Sequence, residues 1–373
     1  MAAKKLRVGV FMGGRSGEHD VSLMSAMFVL SMLRPEKYDV TQVGITRQGS
    51  WLIGEDVLRA LKDEKLGSLQ PASLLPDPTR PGLKRIETNN GVEMLHALTE
   101  IDVAFPVLHG TFGEDGTLQG LFEMAGAAYV GAGVLGSAAG MDKALFADVM
   151  RANGIPVIEQ VLILRSQIES DMEAAIRIAE GIGEYPLFVK PANLGSSVGV
   201  SKVRNRSDLL EGLMMAAQYD RRVVVQRAHN VREIEVSVLG NDSPQASVCG
   251  EVLPGDEFYS YEAKYHDDRS KTVIPADIPA EISNRIRELA VQAYKAIDCS
   301  GMARVDFFID KISDEIYLNE VNTIPGFTEI SMFPQLWKAS GISGEELVDR
   351  LIELGLERRA QRDATIHEYR RDG

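Results

Sequence analysis

The chain has few cysteines and no long apolar segment. Its two cysteines, Cys249 and Cys299, do not have the paired spacing of a zinc motif, and they are too few for a disulfide framework. No stretch approaches the roughly 20 apolar residues of a membrane span, and the apolar run near the N-terminus is too short for a signal sequence. We therefore expect a cytoplasmic protein that does not enter a membrane.

The chain also lacks an excess of basic residues. It has 40 Lys and Arg against 54 Asp and Glu, a formal net charge of -14, so nucleic-acid binding has no electrostatic support. Hydrophobic residues make up 45% of the chain and charged residues 25%, which is the usual balance of a folded globular protein. A chain of 373 residues is expected to form two or three domains.

The N-terminal region alternates strands and helices. Apolar runs at 6–12, 40–45 and 103–108 are separated by segments that include an amphipathic stretch at 21–33. This order predicts an α/β domain with parallel strands. The proline-rich segment between Gly67 and Arg85 fits neither the strand period nor the helix period, so we predict an irregular surface excursion there.

The remainder of the chain is rich in strands. Strands are expected at 161–164 and 187–190, and runs rich in β-branched residues follow at 198–203, 223–226, 233–239 and 246–253. Their hairpin-like spacing predicts antiparallel pairing. A polar loop and a helix at 280–297 follow, and then come two more strands and a C-terminal helix.

Two adjacent segments carry the strongest chemical signal. MARVDFFID and EIYLNEVN are joined by four polar residues, which predicts an antiparallel hairpin. Because side chains alternate along a strand, Arg304 and Asp306 should point the same way, and so should Glu320 and Asn322. The three oxygen donors Asp306, Glu320 and Asn322 would suit Mg²⁺.

The competing interpretation is a hairpin whose polar residues simply face water. We expect Glu320 and Asn322 to share a face with Ile316 and Leu318, so that neither face is uniformly polar, and this favours a metal site. Arg304 lies beside the carboxylates. Its planar guanidinium group, which holds its N–H donors in a fixed geometry, would suit a transferring phosphoryl group or a developing oxyanion.

A glycine- and serine-rich loop follows the strand that ends at Lys190. Gly195 and Gly199 would let backbone amides approach a phosphate, and the hydroxyls of Ser196 and Ser197 would add donors. A tight turn with a lysine that reaches solvent explains the pattern as well.

Three further residues are ambiguous when taken alone. Glu18 and His109 follow predicted parallel strands, at the end where α/β proteins gather ligands. Glu18 could bind an ammonium group, but a first-turn acid favoured by the helix dipole is the preferred interpretation in isolation. His109 could be a structural histidine, and Lys143 could be a solvated helix residue.

Eight segments taken together resemble the D-alanine:D-alanine ligases of the ATP-grasp superfamily. In chain order they are GGRSGEHDVS, LHGTFGEDGTLQG, MDK, FVKPANLGSSVGVSKV, REIEVSVLG, YEAKY, ARVDFF and NEVNTIPGFT. The resemblance covers nearly the whole chain. It implies an α/β, three-domain ATP-grasp fold, with the nucleotide between two antiparallel sheets. Residues 1–135 would form the N-terminal parallel α/β domain, 136–228 the central subdomain and 229–373 the C-terminal subdomain with the metal site.

The reaction implied is the ATP-dependent joining of two D-alanines through a D-alanyl phosphate, which gives D-alanyl-D-alanine, ADP and phosphate for peptidoglycan synthesis. Two Mg²⁺ ions, which Mn²⁺ could replace, and a homodimer are part of this expectation. Two alternatives stay open. One is another ATP-grasp ligase, including a D-alanine:D-lactate or D-alanine:D-serine enzyme. The other is a nucleotide-binding regulatory module without chemistry, for which Gln226 is the sole hint.

The resemblance also implies roles for individual residues. The metal ligands would be Asp306, Glu320 and Asn322. Nucleotide contacts would come from Lys143, Lys190, Ser196, Ser197, Gln226, Glu233, Lys264, Asn319 and Glu320. The amino-acid substrates would contact Glu18, His109, Lys264, Ser331 and Met332. The chemical step would involve Glu18, Ser196, Tyr265, Arg304 and the amide of Gly326.

The chain departs from the family pattern at two of these positions. Relatives place a glutamate at position 226 to accept a hydrogen bond from the adenine amino group. The amide of Gln226 can still accept that bond, but it lacks the charge that would strengthen it. Met332 stands where relatives often have leucine, a volume-conserving exchange.

Tyr265 is expected to decide the second substrate. The resemblance implies a hydrogen-bonded triad of Glu18, Ser196 and Tyr265, in which tyrosine accompanies D-alanine and phenylalanine or histidine marks depsipeptide-forming relatives. We predict that Tyr265→Phe increases D-lactate incorporation when D-alanine and D-lactate compete. Product mass spectrometry measures this, and unchanged D-lactate incorporation would contradict the assignment.

Overall fold

The N-terminal region of the computed structural model forms a seven-stranded sheet flanked by helices. The structure describes residues 4–195, 198–253 and 271–366. The first elements are β1 (Leu6–Gly13), α1 (His19–Met32), β2 (Tyr38–Ile45), β3 (Trp51–Ile53), α2 (Val57–Lys62), β4 (Gln70–Leu74), β5 (Leu83–Asn89), β6 (Val92–Thr99), β7 (Val103–Val107) and α3 (Thr117–Met124). The strand order is β6-β5-β4-β3-β2-β1-β7. Strands β2, β1 and β7 are parallel, which confirms the predicted centre of this region.

The proline-rich segment between Gly67 and Arg85 is not an irregular excursion, so that prediction is wrong. It contains β4 and the start of β5, which extend the sheet by antiparallel pairing. Ala72 and Leu74 of β4 are buried. The strand has only five residues and includes Pro71, so its alternation was too short to stand out from the surrounding prolines.

The central region forms a four-stranded antiparallel sheet covered by helices on one face. Its elements are α4 (Val134–Met141), α5 (Lys143–Ala152), β8 (Gln160–Leu164), α6 (Arg165–Ser170), α7 (Met172–Glu180), β9 (Leu187–Pro191), β10 (Ser201–Val203), α8 (Arg206–Tyr219) and β11 (Arg222–Arg227). The order is β10-β9-β11-β8. Apolar residues of α6, α7 and α8 pack against Ile163, Val189 and Val225 of the sheet.

The C-terminal region forms a five-stranded antiparallel sheet. Its elements are β12 (Val231–Leu239), β13 (Gln245–Leu253), β14 (Lys271–Val273), α9 (Ala280–Ala296), β15 (Met302–Asp310), β16 (Ile316–Asn322), α10 (Met332–Ala339) and α11 (Gly344–Asp363). The order is β14-β13-β12-β15-β16. The predicted antiparallel strands thus divide into two sheets, and two helices follow β16 where one was predicted.

One face of the five-stranded sheet is apolar, and the opposite face carries polar side chains. Val236, Val305 and Phe307 are buried in one core with Leu289 and Ala293 of α9. Because side chains alternate along each strand, the residues between these apolar positions point to the opposite face. That face carries the polar residues of the predicted hairpin.

The N-terminal sheet and the C-terminal segments share a hydrophobic core. Val10 of β1 and Phe105 of β7 belong to the same buried cluster as Phe327, Phe333 and Leu351. The proposed domain limits at 135/136 and 228/229 stay predictions. Both cysteines are free and buried. Among the described helices, none combines the length and apolarity needed to cross a bilayer.

Phe327 holds this shared core together. It is 1% exposed, and its ring lies 6.0 Å, 6.3 Å and 5.4 Å from the ring centroids of Phe28, Phe105 and Phe333. We predict that Phe327→Ala lowers stability by about 3–5 kcal/mol, because it leaves a cavity in a packed core. Thermal denaturation measures the effect, and Ile312→Ala at an exposed turn serves as the control. Equal melting temperatures for the two variants would contradict the prediction.

Candidate functional site

A cavity of ≈ 480 Å³ lies where the N-terminal sheet, the start of α5 and the five-stranded sheet meet. Its volume is within the range of small-molecule sites. Ten residues singled out from the sequence line it: Glu18, His109, Lys143, Gly195, Arg304, Glu320, Asn322, Gly326, Ser331 and Met332. A larger cavity of ≈ 780 Å³ elsewhere is lined by none of the predicted residues, so the smaller cavity is the candidate site.

Three carboxylates lie in a row across β12, β15 and β16 beside this cavity. The strand register pairs Glu235 with Asp306, and Asp306 with Glu320. Like charges directly opposite each other destabilise a sheet, so this row requires cations nearby. Glu235 was not predicted from the sequence. Its signal was the alternation of Glu233 and Glu235 in a strand otherwise dominated by apolar residues.

Arg304 is the cation fixed within the row. Its Nε and Nη2 donate to the two oxygens of Asp306 at 2.8 Å and 2.6 Å, and Nε lies 2.9 Å from a carboxylate oxygen of Glu235. Burial alone would lower the pKa of Arg304, but the charges of Asp306 and Glu235 outweigh burial and raise that pKa well above its ordinary value. The guanidinium is therefore always charged and rigidly oriented.

The hairpin of β15 and β16 is confirmed, but a bulge changes which residues share its faces. Asp306 pairs with Glu320 and Phe307 pairs with Leu318, so Asn319 has no partner in the register. Leu318 is buried in the core, whereas Glu320 lines the cavity. The expectation that Glu320 and Asn322 share a face with Leu318 is therefore wrong, because the extra residue turns the strand over at Asn319.

Asn322 has a free ligand position. Its Oδ1 is buried, and no hydrogen-bond partner for it lies within the described residues. A buried acceptor without a partner is costly, and a bound cation would satisfy it. Within residues 4–195, 198–253 and 271–366, no group of three or more His, Cys, Asp and Glu side chains converges on a metal position. Two carboxylates and one amide nevertheless fit Mg²⁺, which completes its coordination with waters and phosphates.

Two lysines lie close to the row. Lys143, the first residue of α5, donates to the carbonyl of Leu194 at 2.8 Å, and its Nζ is 4.0 Å from Oε2 of Glu320. Lys190 on β9 donates to Oε1 of Gln226 at 2.6 Å. Burial and, to a smaller extent, the charge of Lys143 lower the pKa of Lys190 to about 8, although the charge of Glu320 opposes the shift. Gln226 is itself buried and offers Lys190 no compensating negative charge.

Glu18 lies between the N-terminal and central regions. A Cβ built on Gly110 would come within 2.6 Å of its Oε2, and one on Gly195 within 3.0 Å. The backbones at both glycines therefore approach this carboxylate closely. Glu18 is the residue before α1 begins and does not cap that helix with its side chain. The contact with Gly195 brings the glycine- and serine-rich loop to the cavity.

His109 is held by both of its ring nitrogens. Nδ1 lies 2.9 Å from the carbonyl oxygen of Ile324, and Nε2 lies 3.0 Å from Oγ of Ser25. The carboxylate of Glu114 is 3.5 Å from Nδ1 and also lines the cavity. Burial raises the pKa of Glu114, and Glu18 adds to the rise. Neither Glu114 nor Ser25 was predicted from the sequence.

The segment after β16 closes the cavity at the start of α10. Oγ of Ser331 accepts from the amide of Thr328 at 3.0 Å, and a Cβ on Gly326 would lie only 3.1 Å from the same oxygen. Ser331 immediately precedes α10, and both Ser331 and Met332 line the cavity, so the positive end of that helix is directed toward the cavity. Such a helix start favours a carboxylate ligand.

Several predicted residues are not in the lining of this cavity. Asp306 is hydrogen-bonded to Arg304, which itself lines the cavity. Asn319 is at the bulge of β16, and Glu233 is half-buried on β12. Lys190 and Gln226 lie on the four-stranded sheet nearby. Four predicted residues fall outside the described part of the chain: Ser196, Ser197, Lys264 and Tyr265.

The sequence matches two family models. The model described as D-ala D-ala ligase N-terminus matches residues 7–132, and the model described as D-ala D-ala ligase C-terminus matches residues 149–353. A D-alanine--D-alanine ligase of Natranaerobius thermophilus is 46% identical over 367 residues, which cover 98% of this chain and 99% of that protein. One from Heliobacterium modesticaldum is 48% identical over 363 residues, which cover 97% and 98%.

Solved structures are similar over most of the chain as well. The D-alanine-D-alanine ligase from Coxiella burnetii has a TM-score of 0.83 and 34% identity, and the match covers 97% of each chain. The VanG D-Ala:D-Ser ligase from Enterococcus faecalis has a TM-score of 0.83 and 38% identity, with 94% of this chain and all of that chain covered.

The contact between Lys190 and a neutral amide leads to a prediction about titration. In protein with ¹³C-labelled lysine, the Cε signal of Lys190 should titrate with a midpoint near pH 8. Gln226→Glu should raise that midpoint by roughly one unit or more, because an adjacent carboxylate favours the charged ammonium. Gln218→Glu adds the same charge at an exposed position and should leave the midpoint unchanged. A wild-type midpoint above about 10, the ordinary lysine range, would contradict the prediction.

Proposed function

Because the chain belongs to the D-alanine–D-alanine ligase family, we propose that the ≈ 480 Å³ cavity is the place where it joins two D-alanines. The chain is an ATP-dependent, peptide-bond-forming ligase with the ATP-grasp fold, and its product, D-alanyl-D-alanine, serves cell-wall synthesis. The observation that carries the placement is the row of Glu235, Asp306 and Glu320 with Arg304 among them. Neighbouring carboxylates of this kind favour a bound cation.

ATP is proposed to lie between the four-stranded and five-stranded sheets, with its phosphates directed toward the carboxylate row. Lys143 and Lys190 would contact those phosphates, and Ser196 and Ser197 would assist from the adjacent loop. Binding should hold Lys190 in its charged form, because phosphate is the anion that Gln226 cannot supply. Gln226 and Glu233 are proposed to contact the adenine and the ribose.

The proposed metal ligands are Asp306, Glu320 and Asn322, which would hold two Mg²⁺ ions that Mn²⁺ could replace, with Asn319 beside them at the bulge. The buried Oδ1 of Asn322, which has no hydrogen-bond partner among the described residues, and the pairing of Asp306 with Glu320 in the strand register support this choice. When bound, the ions would neutralise the charge that gathers on the phosphates. Arg304 would stay charged beside Asp306 and would keep that carboxylate oriented.

The first D-alanine is proposed to bind with its ammonium at Glu18, close to His109. Its carboxylate would attack the γ-phosphate of ATP, which forms an acyl phosphate and releases ADP. Glu18 is suitable because Gly110 and Gly195 bring both neighbouring loops against it. Lys264, Tyr265 and Ser196 are proposed to close over this substrate and exclude water, which would otherwise hydrolyse the acyl phosphate.

The second D-alanine is proposed to bind with its carboxylate near Ser331 and Met332, where the positive end of α10 favours an anion. Its amine, once deprotonated, attacks the acyl carbonyl. Arg304 and the amide of Gly326 would stabilise the negative charge on the tetrahedral oxygen. Collapse of that species releases phosphate and leaves the dipeptide.

D-Serine is the specific alternative to D-alanine as the second substrate. The D-Ala:D-Ser ligase from Enterococcus faecalis is 38% identical to this chain over nearly its whole length. A D-serine hydroxyl adds one polar group to the D-alanine side chain. We propose D-alanine because the curated relatives that match most of the chain are D-alanine–D-alanine ligases.

Three broader assignments are proposals as well. The domain limits 1–135, 136–228 and 229–373 follow the division into three sheets. A homodimer is proposed on the resemblance alone. A cytoplasmic location is proposed because ATP is the phosphoryl donor.

The test is phosphate release from Mg²⁺-ATP with D-alanine, D-lactate and D-serine offered in pairs, together with product masses. We expect D-alanyl-D-alanine as the main product. Glu320→Gln should lower kcat at least about a hundredfold, because it removes a proposed metal ligand that acts on the phosphates. Glu315→Gln, an exposed acid next to the same hairpin turn, should stay within about twofold of wild type. An absence of D-alanine-dependent phosphate release would refute the proposed function.

A further inference from the structure

Ser25 connects two parts of the site that are far apart in the sequence. Its Oγ lies 3.0 Å from Nε2 of His109 and accepts from the amide of Phe327 at 3.1 Å. The side chain is 0% exposed in the middle of α1, so it cannot touch a ligand in the cavity. Its contacts are therefore with the groups that form the cavity wall.

The hydrogen bonds around Ser25 have a defined direction. The carbonyl oxygen of Ile324 can only accept, so Nδ1 of His109 carries a proton. In the neutral imidazole Nε2 then accepts, and the Ser25 hydroxyl donates to it while its oxygen receives the Phe327 amide. If His109 is protonated, Nε2 donates to Oγ instead. The oxygen of Ser25 joins the two groups in either state.

These bonds hold the segment that contains Gly326 at both ends. His109 is bonded to the carbonyl of Ile324, and Ser25 is bonded to the amide of Phe327. Gly326 lies between these two points and lines the cavity. Glycine has no side chain to restrict its backbone, so its orientation depends on such external bonds.

We propose that Ser25 is a positioning residue for the ligation reaction, acting through His109 and through the 324–327 segment that presents the Gly326 amide. This inference rests on the proposed function and extends it to a residue behind the cavity wall. Without the hydroxyl, the Phe327 amide and Nε2 of His109 would both lose a buried partner. The 324–327 segment would then lose one of its two attachments.

The test compares Ser25→Ala with Ser22→Ala. Ser22 is equally buried on the same helix, where it accepts from the amide of Gly13 and donates to the carbonyl of Val107. It therefore matches Ser25 in burial and in the number of bonds lost, but it does not contact the 324–327 segment. Both variants should lose similar thermal stability. Ser22→Ala should keep kcat within about twofold of wild type.

For Ser25→Ala we expect kcat to fall about tenfold or more, while the KM for ATP stays within about twofold. The reason is that the substitution loosens the 324–327 segment and leaves the proposed nucleotide site unchanged. Phosphate released per dipeptide formed should rise above one, since an acyl phosphate that waits longer for the amine is hydrolysed. A merely structural role would change neither this ratio nor the split between kcat and KM.

A folded Ser25→Ala with kcat within twofold of wild type and one phosphate per dipeptide would overturn the inference. The same is true of a loss of kcat that Ser22→Ala reproduces. If Ser25→Ala does not fold, the same measurements are made on Ser25→Cys. A thiol is similar in size to the serine hydroxyl but is only a weak hydrogen-bonding group. Ser25→Cys should shift kcat and the phosphate ratio in the same directions. Absence of activity in the wild type would count against the proposed function instead.

Discussion

The site is organised by the repulsion among three carboxylates that the strand register places side by side. Glu235, Asp306 and Glu320 occupy adjacent positions on β12, β15 and β16, and the described part of the chain supplies one guanidinium, that of Arg304, within the row. The arrangement costs stability unless cations are bound nearby. Divalent ions that accompany a bound nucleotide would supply these cations. The least favourable feature of the sheet therefore coincides with its proposed chemistry.

Other parts of the structure serve to bring ligands to this row. The shared core around Phe327 fixes the N-terminal sheet against the five-stranded sheet, so Glu18 and His109 come to face Arg304 and Gly326 across one cavity. The central region adds Lys143 and Lys190 from another side. The three regions thus each contribute one kind of group to the proposed site: a carboxylate proposed for an ammonium, lysines proposed for phosphates, and the carboxylate row beside the proposed metal.

Much of the fold could be predicted from the sequence, because a continuous apolar run marks β1, a helical period of apolar residues marks α9, and a short polar turn separates β15 from β16. Counting alternate residues placed Arg304 with Asp306 correctly. It failed at Asn319, since one bulged residue reverses every later side chain and leaves no local trace in composition. The strand β4 was missed because proline interrupts its short alternation.

Contacts between distant segments were beyond the reach of periodicity. The importance of Glu235 depends on its register with Asp306, and that of Ser25 on bonds to His109 and Phe327 that lie 84 and 302 residues away. A resemblance between motifs identified the family but did not include these partners. Burial and register in the folded chain were needed to find them.

The central claim is that Asp306, Glu320 and Asn322 hold the metal that accompanies ATP. Its most direct measurement is the anomalous diffraction of Mn²⁺ in crystals grown with a non-hydrolysable ATP analogue. The account predicts a peak within about 2.5 Å of oxygens from Asp306, Glu320 and Asn322. A well-occupied peak beside the nucleotide that is not coordinated by these three residues would contradict it.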